Sequence, residues 1–124
     1  IKHYDTLKDV RKMFPNGKFT CNKNNLNCWI TDSSIDGKIF VKFFRKKQLP
    51  LIGFIAWFPS EPIFVKTVRL WYHSSGESYI DPDMGSSLVW RNMGCKEDVQ
   101  AVLSDDDKYI KYFIYVPSGH LKLP

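Results

Sequence analysis

Aromatic and cationic side chains alternate along one segment in the first half of the chain. The residues that combine these two chemistries are Lys38, Phe40, Lys42, Phe44, Arg45, Lys46 and Lys47. Alternate side chains of a β-strand share one face, so Phe40, Lys42 and Phe44 would lie side by side in a strand. Rings of this kind stack on bases, while lysine and arginine neutralise phosphates. The seven residues are therefore our predicted nucleic-acid-binding site, on the condition that Phe40 and Phe44 point to solvent.

The distribution of charge favours a polyanionic partner. The chain of 124 residues has a formal net charge of +5. Residues 1–62 contain eleven Lys and Arg against five Asp and Glu, whereas residues 63–124 contain seven against eight. The basic excess thus lies in the first half. Such asymmetry favours a nucleic acid or a nucleotide, with RNA preferred, or another phosphorylated ligand.

Two other binding functions are compatible with the same composition. Aromatic residues make up 15% of the chain, and rings that do not fit inside a small core must lie on its surface. Exposed aromatic side chains anchor many protein interfaces, and an edge strand can pair with a partner or with the rest of a parent chain. A cap-like base would instead need two flanking rings and an acid. The candidates are the tryptophans Trp29, Trp57, Trp71 and Trp90 and the acids Glu61, Glu77 and Asp81.

Catalytic and metal-binding patterns are scarce in the sequence. A pair of Cys95 with His73 is the one arrangement that could support nucleophilic catalysis. The spacing of Cys21 and Cys28 lacks the second close pair of a zinc site, and the aspartate clusters lack the glycine and glutamate of a calcium loop. We therefore expect no cofactor and no metal, and we rank an enzyme below both binding functions.

The three cysteines predict a reducing environment. An odd, low count is not typical of a disulfide framework, although Cys21 and Cys28 flank a predicted turn and could face each other across a hairpin. We expect reduced thiols in an intracellular protein, cytoplasmic or nuclear, or in a viral one. No apolar run approaches the roughly 18 residues of a membrane span, so we expect no membrane partner.

One short segment resembles part of the RNP1 motif of RNA-recognition motifs. Residues 37–43 match it at the glycine, at Phe40-Val41 and at the last phenylalanine. They depart from it at Lys38 and Ile39, where the motif has an aromatic and a small residue. The helix that this fold places between its first two strands is also missing from the predicted elements. We assign no family on these seven residues.

Local patterns predict the elements that would position these side chains. Thr6 as N-cap and the helical spacing of Leu7, Val10 and Phe14 predict a helix over residues 6–14. Apolar stretches between turns predict strands at residues 18–23, 26–32, 38–46, 51–58, 63–73 and 109–116, and residues 79–80 could form a further short strand. Helices are expected at residues 86–93 and 96–103.

These elements predict an α+β fold. We expect a mostly antiparallel sheet of five to six strands, an N-terminal helix and one or two helices before the last strand. No internal repeat is visible, and no linker divides the sequence. Residues 1–124 are therefore expected to form a single domain, excised from a larger protein.

Overall fold

The computed structural model describes residues 6–46, 49–93 and 97–117, together with their side chains except those of residues 44–46, 49–53, 92 and 117. The chain divides into two compact units, unit 1 (Ile1–Ser60) and unit 2 (Glu61–Pro124). Each unit contains its own helix and its own antiparallel strands. The expectation of a single domain stays a prediction.

Unit 1 begins with the predicted N-terminal helix, α1 (Leu7–Met13). The Thr6 hydroxyl accepts a hydrogen bond from the backbone N–H of Asp9 at 3.3 Å, and the Asp9 carboxylate accepts one from the backbone N–H of Thr6 at 2.9 Å. This reciprocal capping box satisfies two donors at the start of the helix. The Arg11 guanidinium lies 4.9 Å from the centre of the Phe19 ring, which places α1 on the Phe19 side of the strands.

Four strands follow α1 and form an antiparallel meander. They are β1 (Lys18–Cys21), β2 (Asn27–Thr31), β3 (Lys38–Lys46) and β4 (Leu49–Phe58). Each strand pairs with the next, which confirms the predicted hairpin and the two strands after it. The face shared with Phe19 is apolar. Its buried side chains include Cys28, Ile30, Val41, Phe43 and Ile55.

Cys21 and Cys28 form a disulfide across the first hairpin. The two residues are direct partners in the β1–β2 ladder, and their Cα atoms are 4.1 Å apart. The expectation of reduced thiols is therefore wrong for this pair, because the register of the hairpin brings the two sulfur atoms together. Cys95 lies outside the described residues.

Unit 2 contains a second helix and five strands. They are β5 (Ile63–Phe64), α2 (Val65–Tyr72), β6 (Glu77–Asp81), β7 (Gly85–Met93), β8 (Glu97–Leu103) and β9 (Tyr109–Pro117). Strands β6 to β9 form an antiparallel meander, and β5 pairs with the start of β9. Strand β8 is buried on both faces. The amide of its buried Gln100 donates to the Ser87 hydroxyl at 3.0 Å, so this polar group has a partner.

Three elements predicted for unit 2 are wrong. Residues 63–73, expected as one long strand, form β5 and then α2, because Val65 and Val68 are buried at helical spacing. The helices expected at residues 86–93 and 96–103 are β7 and β8, whose backbones pair with each other and with β6 and β9.

The α+β class and the mostly antiparallel pairing are confirmed, but the described residues form nine strands instead of five to six. Each unit has a helix followed by a four-stranded meander, a repetition of element order that the sequence does not reveal. Within the described ranges, neither helix is long and apolar enough to cross a membrane.

Candidate nucleic-acid interface

One face of unit 1 gathers aromatic and lysine side chains. Trp29 of β2 pairs with Phe40 of β3, and Phe40 pairs with Ala56 of β4, so these side chains share a face. Because residues alternate between faces, it is opposite to the buried face of the same strands. We name it the aromatic–lysine face. Its residues with described side chains are Lys18, Thr20, Asn27, Trp29, Thr31, Lys38, Phe40, Lys42, Phe54, Ala56 and Phe58.

Four rings of the aromatic–lysine face form one cluster. The Trp29 ring centroid lies 5.0 Å from that of Phe40 and 5.2 Å from that of Phe58, and Phe40 lies 5.9 Å from Phe54. The ring planes are tilted by 45–55°, an arrangement that aromatic pairs favour. Trp29 is 36% exposed, the three phenylalanines are half-buried, and Ala56 on the same face is buried. The cluster therefore presents ring surface to solvent.

Lysine side chains accompany these rings. The Lys38 ammonium lies 4.5 Å from the centre of the Trp29 ring and 5.8 Å from that of Phe58, within cation–π range. Lys18 is exposed on β1, and Lys42 is half-buried opposite Phe54. Among the residues of this face whose side chains are described, three are lysines and none is acidic. The face therefore combines ring surface with the positive charge of three lysines.

The turn between β2 and β3 holds Lys38 opposite Phe58. Gly37 has a φ of +78°, and a Cβ at this position would lie 2.0 Å from the carbonyl oxygen of Phe58. Glycine is therefore required both by the conformation and by the close approach. The indole N–H of Trp57 donates to the Asp36 carbonyl at 2.6 Å, which ties the same turn to the end of β4.

The carboxylate at the start of this turn has partners within the turn. Asp32 accepts a hydrogen bond from the Ser34 hydroxyl at 2.5 Å and another from the Ser34 backbone N–H at 2.9 Å. The hydroxyl and then the backbone hydrogen bond lower the pKa of Asp32, so this group is ionised at neutral pH. Its negative charge marks the border of the aromatic–lysine face.

The structure brings together three of the seven predicted site residues. Lys38, Phe40 and Lys42 lie on the aromatic–lysine face, with Phe40 half-buried within the ring cluster. The other four residues cannot be placed as side chains. Phe44, Arg45 and Lys46 belong to β3 but their side chains are outside the described set, and Lys47 lies outside the described residues altogether.

Sequence reasoning missed Trp29, Phe54, Phe58 and Lys18 as members of this face. Trp29 alternates with two buried neighbours in β2, so the period of two contained a signal for its outward orientation. Strand β4 offered no such signal, since its residues 51–58 are apolar at nearly every position. The faces of β4 become distinguishable only through its register with β3.

A sandwich for a cap-like base finds no support in this geometry. The ring pairs of the cluster are 5.0–5.9 Å apart between centroids and already in contact, so no base fits between them. Of the acids considered, Glu77 pairs with Arg91 at 3.7 Å, and Asp81 accepts hydrogen bonds from the backbone N–H groups of Asp83 and Met84. These two carboxylates are therefore engaged in contacts within unit 2.

The catalytic candidates are not assembled by the described residues. His73 is exposed and caps the C-terminus of α2 with a φ of +52°, while its proposed partner Cys95 is outside the described set.

Burial raises the pKa of Tyr115 and of Tyr72, so both phenols stay protonated at neutral pH. In the described part of the chain, no group of three or more His, Cys, Asp or Glu side chains is placed to hold a metal ion.

Comparisons with protein-family models, with curated proteins and with solved structures found no match to this chain.

Proposed function

We propose that unit 1 binds single-stranded nucleic acid, with RNA preferred, through the aromatic–lysine face and without catalysis. The observation that carries this proposal is the composition of the face: a partly exposed ring cluster, three lysines and no acidic residue among the described side chains. Proteins that bind single strands combine stacking rings with a cationic surface in the same way. A single strand is favoured over a duplex because its bases are free to stack on protein rings.

Trp29 is the ring best placed to receive a base, since it is the most exposed ring of the cluster, at 36%. The Lys38 ammonium lies over this ring in the free protein. An exposed cation–π contact is worth about 0.5–1 kcal/mol, whereas stacking of a base on a protein ring is worth about 1–3 kcal/mol. A base can therefore replace the ammonium on the ring, and Lys38 then becomes available to a phosphate of the same strand.

Binding of an oligonucleotide as a function of salt tests this function. We expect a short labelled oligouridine to bind the protein in a fluorescence anisotropy assay. The slope of log K against log salt should be about −1.4 if Lys18 and Lys38 each neutralise one phosphate of a single strand. Absence of binding at low salt would remove the proposal.

A tryptophan substitution separates stacking from attraction by charge alone. Trp29→Leu should weaken binding by about 1–3 kcal/mol, the worth of one stacked base. Trp71→Leu is the matched control, because Trp71 is also partly exposed, at 49%, but belongs to α2 of unit 2. Equal losses in the two variants would contradict stacking on Trp29.

The alternative is a protein partner on the same face. The exposed tryptophan favours it as well, since such rings anchor interfaces. In that case the oligonucleotide would not bind, and a partner would be lost in Trp29→Leu but retained when Lys38 is changed to glutamine.

The expected cytoplasmic or nuclear location stays a prediction. The Cys21–Cys28 disulfide counts against it, because disulfides are rare in reducing compartments.

A further inference from the structure

The two sulfur atoms of the Cys21–Cys28 disulfide differ in their access to solvent. Cys28 of β2 lies between Cys21 of β1 on one side and Val41 of β3 on the other. Cys28 and Val41 are both fully buried. Cys21 is half-buried, and β1 pairs only with β2 among the described strands, so none of these strands covers Cys21 on its outer side. A dissolved reagent can therefore reach the sulfur of Cys21 but not that of Cys28.

The hairpin that carries the two cysteines is held by hydrogen bonds of its own turn. The backbone N–H groups of Leu26 and Asn27 donate to the side-chain carbonyl of Asn22 at 3.0 and 3.1 Å. The backbone N–H of Asn22 donates to the Asn27 carbonyl, and that of Asn25 donates to the Asn22 carbonyl, both at 3.0 Å. These bonds involve no sulfur atom, and they fix the register in which the two cysteines face each other. We therefore expect this register to persist when the S–S bond opens.

The loop that the disulfide closes is short, since its two residues are seven apart in sequence. Closure of a short loop removes less chain entropy from the unfolded state than closure of a long one. A disulfide with a solvent-accessible sulfur also exchanges more readily with external thiols than a buried structural one. Both features favour a disulfide that exchanges with thiols over one on which the fold depends.

We propose that Cys21 is a site of reversible S-thiolation by a low-molecular-weight thiol of the glutathione class. The thiolate of this reagent attacks Sγ of Cys21, so that a new S–S bond forms and the bond between Cys21 and Cys28 breaks. The bonding electrons stay on Sγ of Cys28, which takes up the proton that the reagent has released and remains as a buried thiol. Attack by the deprotonated Cys28 on Cys21 reverses the exchange and releases the external thiol. One disulfide replaces another, so no further oxidant or reductant is needed, and the inference does not rest on the function proposed for unit 1.

Reaction with glutathione tests this assignment in two matched variants that each keep one hairpin cysteine. Both also carry Cys95→Ser, so that the third cysteine of the chain cannot react. With oxidised glutathione, Cys21 in the Cys28→Ser variant should form the mixed disulfide about tenfold faster than Cys28 in the Cys21→Ser variant, because access to the sulfur limits the reaction. Intact-mass spectrometry measures both rates. Equal rates, or a faster reaction of Cys28, would overturn the inference.

The Cys95→Ser protein with its disulfide intact keeps the test valid if either of these substitutions disturbs the hairpin. Reduced glutathione should open the disulfide in the folded protein, and peptide mapping of samples quenched early with acid should place glutathione on Cys21. In the fully reduced protein an Hα–Hα NOE between residues 21 and 28 should persist, because the adjacent Asn22–Asn27 pair is the hydrogen-bonded one. A disulfide that stays closed until the protein unfolds, glutathione on Cys28, or loss of this NOE would refute the proposed site.

Discussion

Reversal of the charge at Lys38 should weaken oligonucleotide binding strongly while lowering the stability of the fold only slightly. In the free protein the Lys38 ammonium contacts the Trp29 and Phe58 rings at 4.5 and 5.8 Å. Loss of an exposed cation–π contact costs about 0.5–1 kcal/mol, so Lys38→Glu should lower Tm by only a few degrees. Two charges 4 Å apart in water interact by about 1 kcal/mol, and reversing one charge changes this by about 2 kcal/mol, or roughly thirtyfold in affinity.

Anisotropy titrations of a labelled oligouridine at several salt concentrations measure this effect. The slope of log K against log salt should fall in magnitude by about 0.7 in Lys38→Glu, which is the loss of one phosphate contact. Lys66→Glu is the matched control, since Lys66 is an exposed lysine of α2 and its substitution makes the same change in net charge. Equal effects of the two variants would show that binding follows net charge, and the assignment to the aromatic–lysine face would be refuted.

Three further results are expected from unit 1. Reduction of the Cys21–Cys28 disulfide, with a sequence separation of seven, should cost about 2–3 kcal/mol of unfolding free energy; an unchanged Tm in reductant would contradict this. Gly37→Ala should lower the free energy of unfolding in urea by about 1–3 kcal/mol, because Gly37 has a φ of +78° and an added Cβ would meet the carbonyl oxygen of Phe58. A variant as stable as the wild type would contradict this conformation of the turn. Hydrogen bonds from the Thr6 backbone and hydroxyl lower the pKa of Asp9 in the folded protein. Their contribution to the free energy of unfolding is therefore present above the pKa that Asp9 has in the unfolded chain, and it is lost as pH falls through the pKa of Asp9 in the folded protein. Tm should therefore fall more steeply in acid for the wild type than for Asp9→Asn, and identical profiles would contradict the capping box.

Elements defined by local interactions could be predicted from the sequence. Helix α1 needs only the Thr6–Asp9 capping box and one apolar stripe, and both are local patterns. The β1–β2 hairpin likewise follows from its asparagine turn, where Asn25 adopts a positive φ. The disulfide follows from the register of that hairpin, but the count of three cysteines suggested reduced thiols instead.

Elements defined by tertiary context could not be predicted. Strand β8 contains Asp98 and Gln100 among apolar residues, and their burial depends on neighbouring strands rather than on any period of two. Segment 63–73 alternates rings, β-branched and charged residues in a way that suits a strand, yet packing of Val65 and Val68 selects the helix.

The candidate site could be predicted from the sequence only in part, for the same reason. Lys38, Phe40 and Lys42 lie on one strand, so their shared face could be read from alternation. Trp29, which supplies the most exposed ring, comes from the neighbouring strand and joins the site through register.

Binding of nucleic acid by the aromatic–lysine face is tested most directly by an NMR titration of the isotope-labelled protein with an unlabelled oligouridine at low salt. We expect the Trp29 indole N–H and the backbone amides around Lys38–Lys42 and 54–58 to shift with a common Kd, while the indole N–H of Trp71 does not shift. Shifts confined to unit 2, or no shifts at all, would contradict binding by this face.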